Sequence, residues 1–223
     1  MVPALIMDRD SYLQQWSTLH GGARPAGVVG GWLRIVHAVA SPVARLRVPP
    51  DAVTLLGLLI ACTAPLLASL GRGGVLAAAL VVALSGLFDS LDGAVAVMTG
   101  RTSRWGAVLD AVCDRISDAV FVATLWVAGA PAAACVAAVA VCWLQEYARA
   151  RAGGAGMTEV GVLTLNERPT RVIVVVMSLL ATVARPGDDP GWATLGAWAL
   201  VGLGGVGLVQ LLVVVRRTLG GGG

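Results

Sequence analysis

Four aspartates, Asp89, Asp92, Asp110 and Asp114, stand at helical spacing inside segments apolar enough to cross a bilayer. An aspartate at the centre of a membrane helix costs about 3 kcal/mol, so four without compensation would cost on the order of 10 kcal/mol. Clustered carboxylates with no lysine in the chain cannot neutralise one another, and hard divalent cations take oxygen ligands. The set therefore reads as a metal site that does chemistry at a membrane. Asp89 and Asp92 share one helix face through i,i+3 spacing, and Asp110 and Asp114 share another through i,i+4 spacing. Antiparallel neighbours joined through Thr99 to Arg104 bring the two faces together. Four carboxylates can hold two hard cations a few ångströms apart, which clamps a phosphate or pyrophosphate and stabilises the attacking and leaving oxygens of a displacement. Gly93 and Gly106, close to the acids in the chain, remove side-chain bulk where a ligand approaches the backbone.

The elements that must hold these acids follow from composition and period. In 223 residues, 57% are hydrophobic and only 13% charged, with a mean hydropathy of +0.81, which is the composition of a polytopic membrane protein. A net charge of +3, all of its cations arginine, is too small for a nucleic-acid binder and points to lipid headgroups or phosphorylated substrates. Cys62, Cys113, Cys135 and Cys142 fall in apolar stretches without paired ligand spacing and read as small core hydrophobes. The first residues lack the basic start and apolar run of a secretory signal, so insertion is expected to depend on the helices themselves.

The expected fold class is all-α, a polytopic membrane protein of six transmembrane helices plus an N-terminal amphipathic surface helix. Residues 1–27 read as a flexible lead-in, 28–217 as one membrane domain and 218–223 as a tail. Within the domain, Val28, Trp32, Ile35, Val36, Val39, Val43 and Leu46 recur at near-helical period against Arg34, His37, Arg45 and Arg47, which fits a surface helix over 28–47. Six spans are expected at 52–70, 75–98, 105–129, 131–151, 170–185 and 192–215, each near the ~20 residues a bilayer needs. With both termini cytoplasmic, only Arg72 and Arg185 fall in the outer loops, so the active site lies at the cytoplasmic leaflet of the cell membrane.

The run from Asp89 to Asp114, DSLDGAVAVMTGRTSRWGAVLDAVCD, resembles the signature of the CDP-alcohol phosphatidyltransferases, D-x-x-D-G-x-x-A-R-x8-G-x3-D-x3-D. Every position matches except the arginine, where this chain has Val97. The resemblance implies a six-span homodimer with two Mg2+ or Mn2+ ions, a CDP-diacylglycerol-like donor and CMP as leaving group. Asp89, Asp92 and Asp110 are then metal ligands, and Asp114 is the general base and a further ligand. Gly93 and Ser103 meet the donor, and the PPDAVT segment supplies Asp51, Ala52, Val53 and Thr54 to the cytidine. Arg101 or Arg104 is expected to stand in for the missing arginine.

Within the family, CDRISDAVF, YARARA and ERPTR are most similar to actinobacterial phosphatidylinositol phosphate synthases. That resemblance assigns Arg149, Arg171 and Arg216 to the phosphate of the acceptor. In this chain Glu146 stands where those relatives carry a small hydroxyl residue, and the segment before Arg171 is longer. Two other readings use the same residues: a divalent cation or proton transporter with the aspartates as its path, and a catalytically silent nucleotide-binding relative, motivated by Val97. His20 and His37 lie away from the acids and are expected to be solvated or interfacial.

Overall fold

The computed structural model describes residues 7–19, 24, 26–157, 164–187 and 191–220. Among the described residues there is no strand. The helices are α1 (Arg9–Leu19), α2 (Gly27–Arg45), α3 (Pro50–Cys62), α4 (Ala64–Ala68), α5 (Arg72–Thr99), α6 (Arg104–Val127), α7 (Ala132–Gly154), α8 (Arg168–Ala184) and α9 (Trp192–Leu219). Among the described residues three stretches are long and apolar enough to cross a membrane: Pro50–Ala68, Arg72–Thr99 and Trp192–Leu219. At 28 residues each, α5 and α9 extend about 42 Å, more than the ~30 Å hydrocarbon core. Their outward faces keep Leu80 and Val209 exposed, as Leu59 and Leu66 are on the first stretch, an apolar surface that a bilayer covers. The other three expected spans do not meet that standard: α6 and α7 are diluted by ionisable residues, and α8 has only 17 residues.

The first expected span is not one continuous helix. Pro65 has no N–H to donate to the Ala61 carbonyl, so the chain tightens at Thr63, whose N–H (3.0 Å) and hydroxyl (2.7 Å) both reach the Ile60 carbonyl. The lead-in also differs from expectation, because residues 9–19 form α1. His20 lies outside the described residues.

The chain divides into two compact units, to both of which α3, α5 and α6 contribute. The first comprises Met1–Leu59 and Leu84–Asp114. Its core sets Leu33, Val36 and Ala40 of α2 with Leu91, Ala94, Val95 and Met98 of α5, Val53 of α3 and Tyr12 of α1. Burying Leu33 or Val36 stabilises this core by about 1.5–3 kcal/mol relative to exposure in water. His37 is held through this packing, its ring tilted against Tyr12 at 5.5 Å and its Nε2 3.3 Å from the Met7 carbonyl. Arg47 ends α2 in a left-handed conformation (φ 57°), with Arg47 N–H donating to Ala44 and Val48 N–H to Val43.

The second unit comprises Ile60–Ala83 and Arg115–Gly223. Ala78, Val82, Phe121, Leu125, Ala138, Val175, Leu179 and Ala197 belong to its core. Glycines let α9 approach α7, since a Cβ at Gly204 would lie 2.7 Å from Val141 Cγ1 and one at Gly207 2.9 Å from Gln145 Oε1. Cys113, Cys135 and Cys142 are buried, as expected of core hydrophobes, whereas Cys62 is exposed.

Candidate active site

The acids are delivered by the end of α5, a short turn and the start of α6, all in the first unit. Gly100, at φ 65°, closes α5: its N–H donates to Val97 and that of Arg101 to Ala96, the paired bonds that end a helix on a left-handed residue. Ser103 opens α6, its hydroxyl accepting from the Gly106 N–H at 2.9 Å. The turn therefore fixes where each helix presents its aspartates.

Asp89, Asp110 and Asp114 each offer a carboxylate oxygen, and these oxygens lie within 4.8 Å of one another. All three residues are half-buried. A three-carboxylate donor set at this spacing fits a hard divalent cation, because like charges so close need a shared counter-ion and carboxylate oxygen suits Mg2+ and Mn2+. Asp92 is held differently. At 5% exposure its Oδ2 accepts from the Thr54 hydroxyl at 2.6 Å and its Oδ1 accepts from the Gly93 N–H. Asp92 and Asp110 meet at a recess of about 200 Å3, where Asp51, Thr54, Gly93, Arg101 and Ser103 also line the wall. A Cβ at Gly106 would stand 3.1 Å from Ser103 Oγ and 3.6 Å from Asp51 Oδ1, so glycine keeps the recess open.

Of the expected nucleotide contacts, Asp51, Thr54, Gly93 and Ser103 line this recess; Ala52 and Val53 are not part of its wall, and Val53 is buried in the core. Val97 packs against that same core. Arg101 lines the recess, with its guanidinium donating to the Arg47 carbonyl at 3.4 Å; Arg104 does not line it. Helical period could have indicated the inward face of Val53, because Pro50, Asp51 and Thr54 already occupy the other side of the turn.

In the second unit, Arg149 and Arg171 come together through carboxylates. Glu146 Oε1 accepts from Arg171 at 2.9 Å, while its Oε2 pairs with Arg115 at 3.3 Å and Arg149 at 3.4 Å. Asp118 Oδ2 pairs with Arg171 at 2.7 Å and Arg115 at 3.1 Å. Glu167 takes Arg149 at 2.8 Å and also accepts the Thr164 N–H and hydroxyl. Burial works against ionisation of Glu167, yet those Thr164 bonds and the Arg149 charge outweigh it and hold the carboxyl below its ordinary value. Arg216 lines a separate recess with Val213, Arg217 and Gly220. The i,i+3 spacing that pairs Asp118 with Arg115 is visible in the sequence, where Asp118 is expected either to extend the metal site or to orient Arg115, and the spacing of Glu146 with Arg149 gives the same kind of signal; the partnership of Glu167 with Arg149 has no such local signal.

Among the described residues the fold is helical throughout and pools carboxylates beside a polar recess, an arrangement that fits metal-dependent transfer of a phosphoryl-type group. Residues 47–209 match the family described as CDP-alcohol phosphatidyltransferase, and the chain belongs to that family. It moves a phosphatidyl group from a CDP-linked donor to an alcohol acceptor. The chain is 37% identical over 202 residues to the phosphatidylinositol phosphate synthase of Mycobacterium tuberculosis, covering 84% of this chain and 88% of the relative. The synthase of the same name from Corynebacterium glutamicum is 35% identical over 209 residues, covering 90% and 89%. Among solved structures, the M. tuberculosis synthase with CDP-DAG bound matches with a TM-score of 0.69 at 34% identity, covering 82% of this chain and 94% of that one. Its structure with manganese and citrate matches at 0.68 and 34%, covering 81% and 88%.

Proposed function

We propose that this protein transfers the phosphatidyl group of CDP-diacylglycerol to a hydroxyl of a small alcohol, releasing CMP, with two divalent ions held by Asp89, Asp92, Asp110 and Asp114. The observation that carries this reading is the convergence of the Asp89, Asp110 and Asp114 oxygens within 4.8 Å, next in the fold to a recess shared by Asp92 and Asp110. The CDP-DAG and manganese bound in the M. tuberculosis relative's structures support the same donor and cofactor here. Mg2+ or Mn2+ would polarise the pyrophosphate and offset the charge developing on the leaving oxygen.

The chain's own residues do the rest. Gly93, Ser103 and the Asp51 to Thr54 segment receive the cytidine, Ala52 and Val53 through their backbone. Thr54 keeps Asp92 oriented by its 2.6 Å hydrogen bond. Arg101, on the wall of the recess, takes the part of the cation missing at Val97 and pairs with donor phosphate. Asp114 accepts the proton of the attacking hydroxyl; the new bond forms to the lipid-side phosphorus, and the bond to the CMP oxygen breaks with its electron pair leaving on CMP. The acceptor is received by the cluster of Arg149 and Arg171, with Arg216 at the end of α9. In this reading α6, α7 and α8 cross the membrane as the three apolar stretches do, α2 lies along its surface, both termini and the carboxylate site face the cytoplasm, and two copies associate.

The experiment is CMP release by the purified protein given CDP-diacylglycerol, Mg2+ and an alcohol panel, with Asp114→Asn as the variant. Loss of a general base lowers turnover by about 10²–10⁴-fold. CMP release at the wild-type rate from Asp114→Asn would refute the base assignment.

A further inference from the structure

Glu146 sits among three guanidiniums in the second unit. Its two carboxylate oxygens reach Arg171 at 2.9 Å, Arg115 at 3.3 Å and Arg149 at 3.4 Å. Asp118 and Glu167 take up further donors of the same arginines, so these ion pairs join three cations to three anions. A cluster of arginines with open forks is an anion site. Here each of the three guanidiniums is already paired with one carboxylate of the chain itself, whose side chain is only 19% exposed.

We propose that Glu146 occupies the anion position of the Arg115–Arg149–Arg171 cluster, and that this transferase therefore takes an uncharged alcohol as acceptor in preference to a phosphate monoester. The inference rests on the transferase reading above and gives it an acceptor class. A phosphate monoester brings a charge of about −1.5 to −2 at neutral pH. Set about 4 Å from a partly buried carboxylate, each unit of like charge disfavours binding by about a thousandfold. Moving Glu146 aside instead would strip one carboxylate from three arginines and leave it in a partly buried position without them. An uncharged polyol meets neither obstacle, since hydroxyls both donate to carboxylates and accept from guanidiniums.

Two measurements on the full chain in detergent test this. In the first, inorganic phosphate is titrated calorimetrically into the wild type, Glu146→Ser and Glu146→Gln. Both variants are expected to bind phosphate at least about tenfold more tightly than the wild type, the Gln variant keeping the side chain's volume should the Ser variant fail to fold. Equal phosphate affinity in the wild type and the folded variants overturns the proposal. In the second, CDP-diacylglycerol and Mg2+ are supplied with inositol against inositol phosphate, and glycerol against glycerol phosphate. The wild type is expected to prefer the uncharged member of each pair, and loss of the Glu146 charge to move the kcat/KM ratio at least about tenfold toward the phosphorylated member. A wild-type preference for the phosphorylated member overturns the proposal. Failure of every acceptor to release CMP would instead sink the transferase reading, while the phosphate titration still decides the role of Glu146.

Discussion

Replacing Asp110 by Asn should stabilise the metal-free protein and remove most of the stabilisation that metal brings. The oxygens of Asp89, Asp110 and Asp114 lie within 4.8 Å of one another. Two unit charges at that separation repel by about 3.5 kcal/mol at an effective dielectric constant of about 20, and by about 0.9 kcal/mol in water. Asn keeps the volume and deletes two of the three repelling pairs, so the metal-free variant gains between about 2 and 7 kcal/mol in the fully ionised limit. Half-burial of the cluster lets solvent screen it and favours the lower end. With Mn2+ at about 100 times its dissociation constant, the wild type gains about 2.7 kcal/mol, while a variant binding about 100-fold more weakly gains only about 0.4 kcal/mol. Tryptophan-fluorescence melting in detergent, with chelator and then with Mn2+, reads both quantities. A metal-free variant that melts below the wild type, together with an undiminished rise on adding Mn2+, would refute the electrostatic reasoning.

Three further outcomes are expected. Arg101→Ala should lower kcat/KM for the CDP-linked donor by about 10–100-fold, the loss of one charge-assisted hydrogen bond worth about 1.5–3 kcal/mol, whereas Arg104→Ala, outside the recess, should change it less than threefold; equal effects in steady-state assays would remove Arg101 from the donor site. Thr54→Val should destabilise the fold by about 1.5–3 kcal/mol by taking the 2.6 Å donor from the buried Asp92, and a denaturation midpoint equal to that of the wild type would contradict this. Glu167, held below its ordinary value of 4.5 by Thr164 and Arg149 against the cost of burial, contributes stability that is present above that unfolded value and lost as pH falls through the lower folded one. Glu167→Gln should therefore reduce the drop in melting temperature below pH 4.5, and an unchanged pH profile would show that the carboxyl carries no such linkage.

The carboxylate site was legible in the sequence because its two constraints are local. Spacing of three and four residues fixes a shared helix face, and glycine at position 100 with serine at 103 announces the turn that joins the helices. The separate state of Asp92 was not legible, since it depends on a hydroxyl 38 residues away in α3. Three of the six expected membrane helices are long and apolar enough to have been legible from hydropathy, but the break at Thr63 was missed although Pro65 marks it, because hydropathy does not register a lost N–H donor. Helix α1 was missed for a different reason: its own polarity gives little period, and Tyr12 is buried only by packing in a core built mainly from α2 and α5. The arginines at 149 and 171 were found by resemblance, but the pairing of Arg149 with Glu167 and of Arg171 with Glu146 is a tertiary fact. Ions of opposite sign separated by about 20 residues along the chain meet only once the helices are packed.

Removal and return of metal puts the whole mechanism at risk in one assay. CMP formation from CDP-diacylglycerol and an alcohol is followed in the purified protein after chelation and during Mn2+ or Mg2+ titration. Activity should vanish in chelator and return saturably with either ion, and Asp89→Asn, Asp110→Asn and Asp114→Asn should each fail to recover it at wild-type ion concentrations. CMP formed at an unchanged rate in chelator, or restored equally in the three variants, would contradict a divalent-ion site at these aspartates.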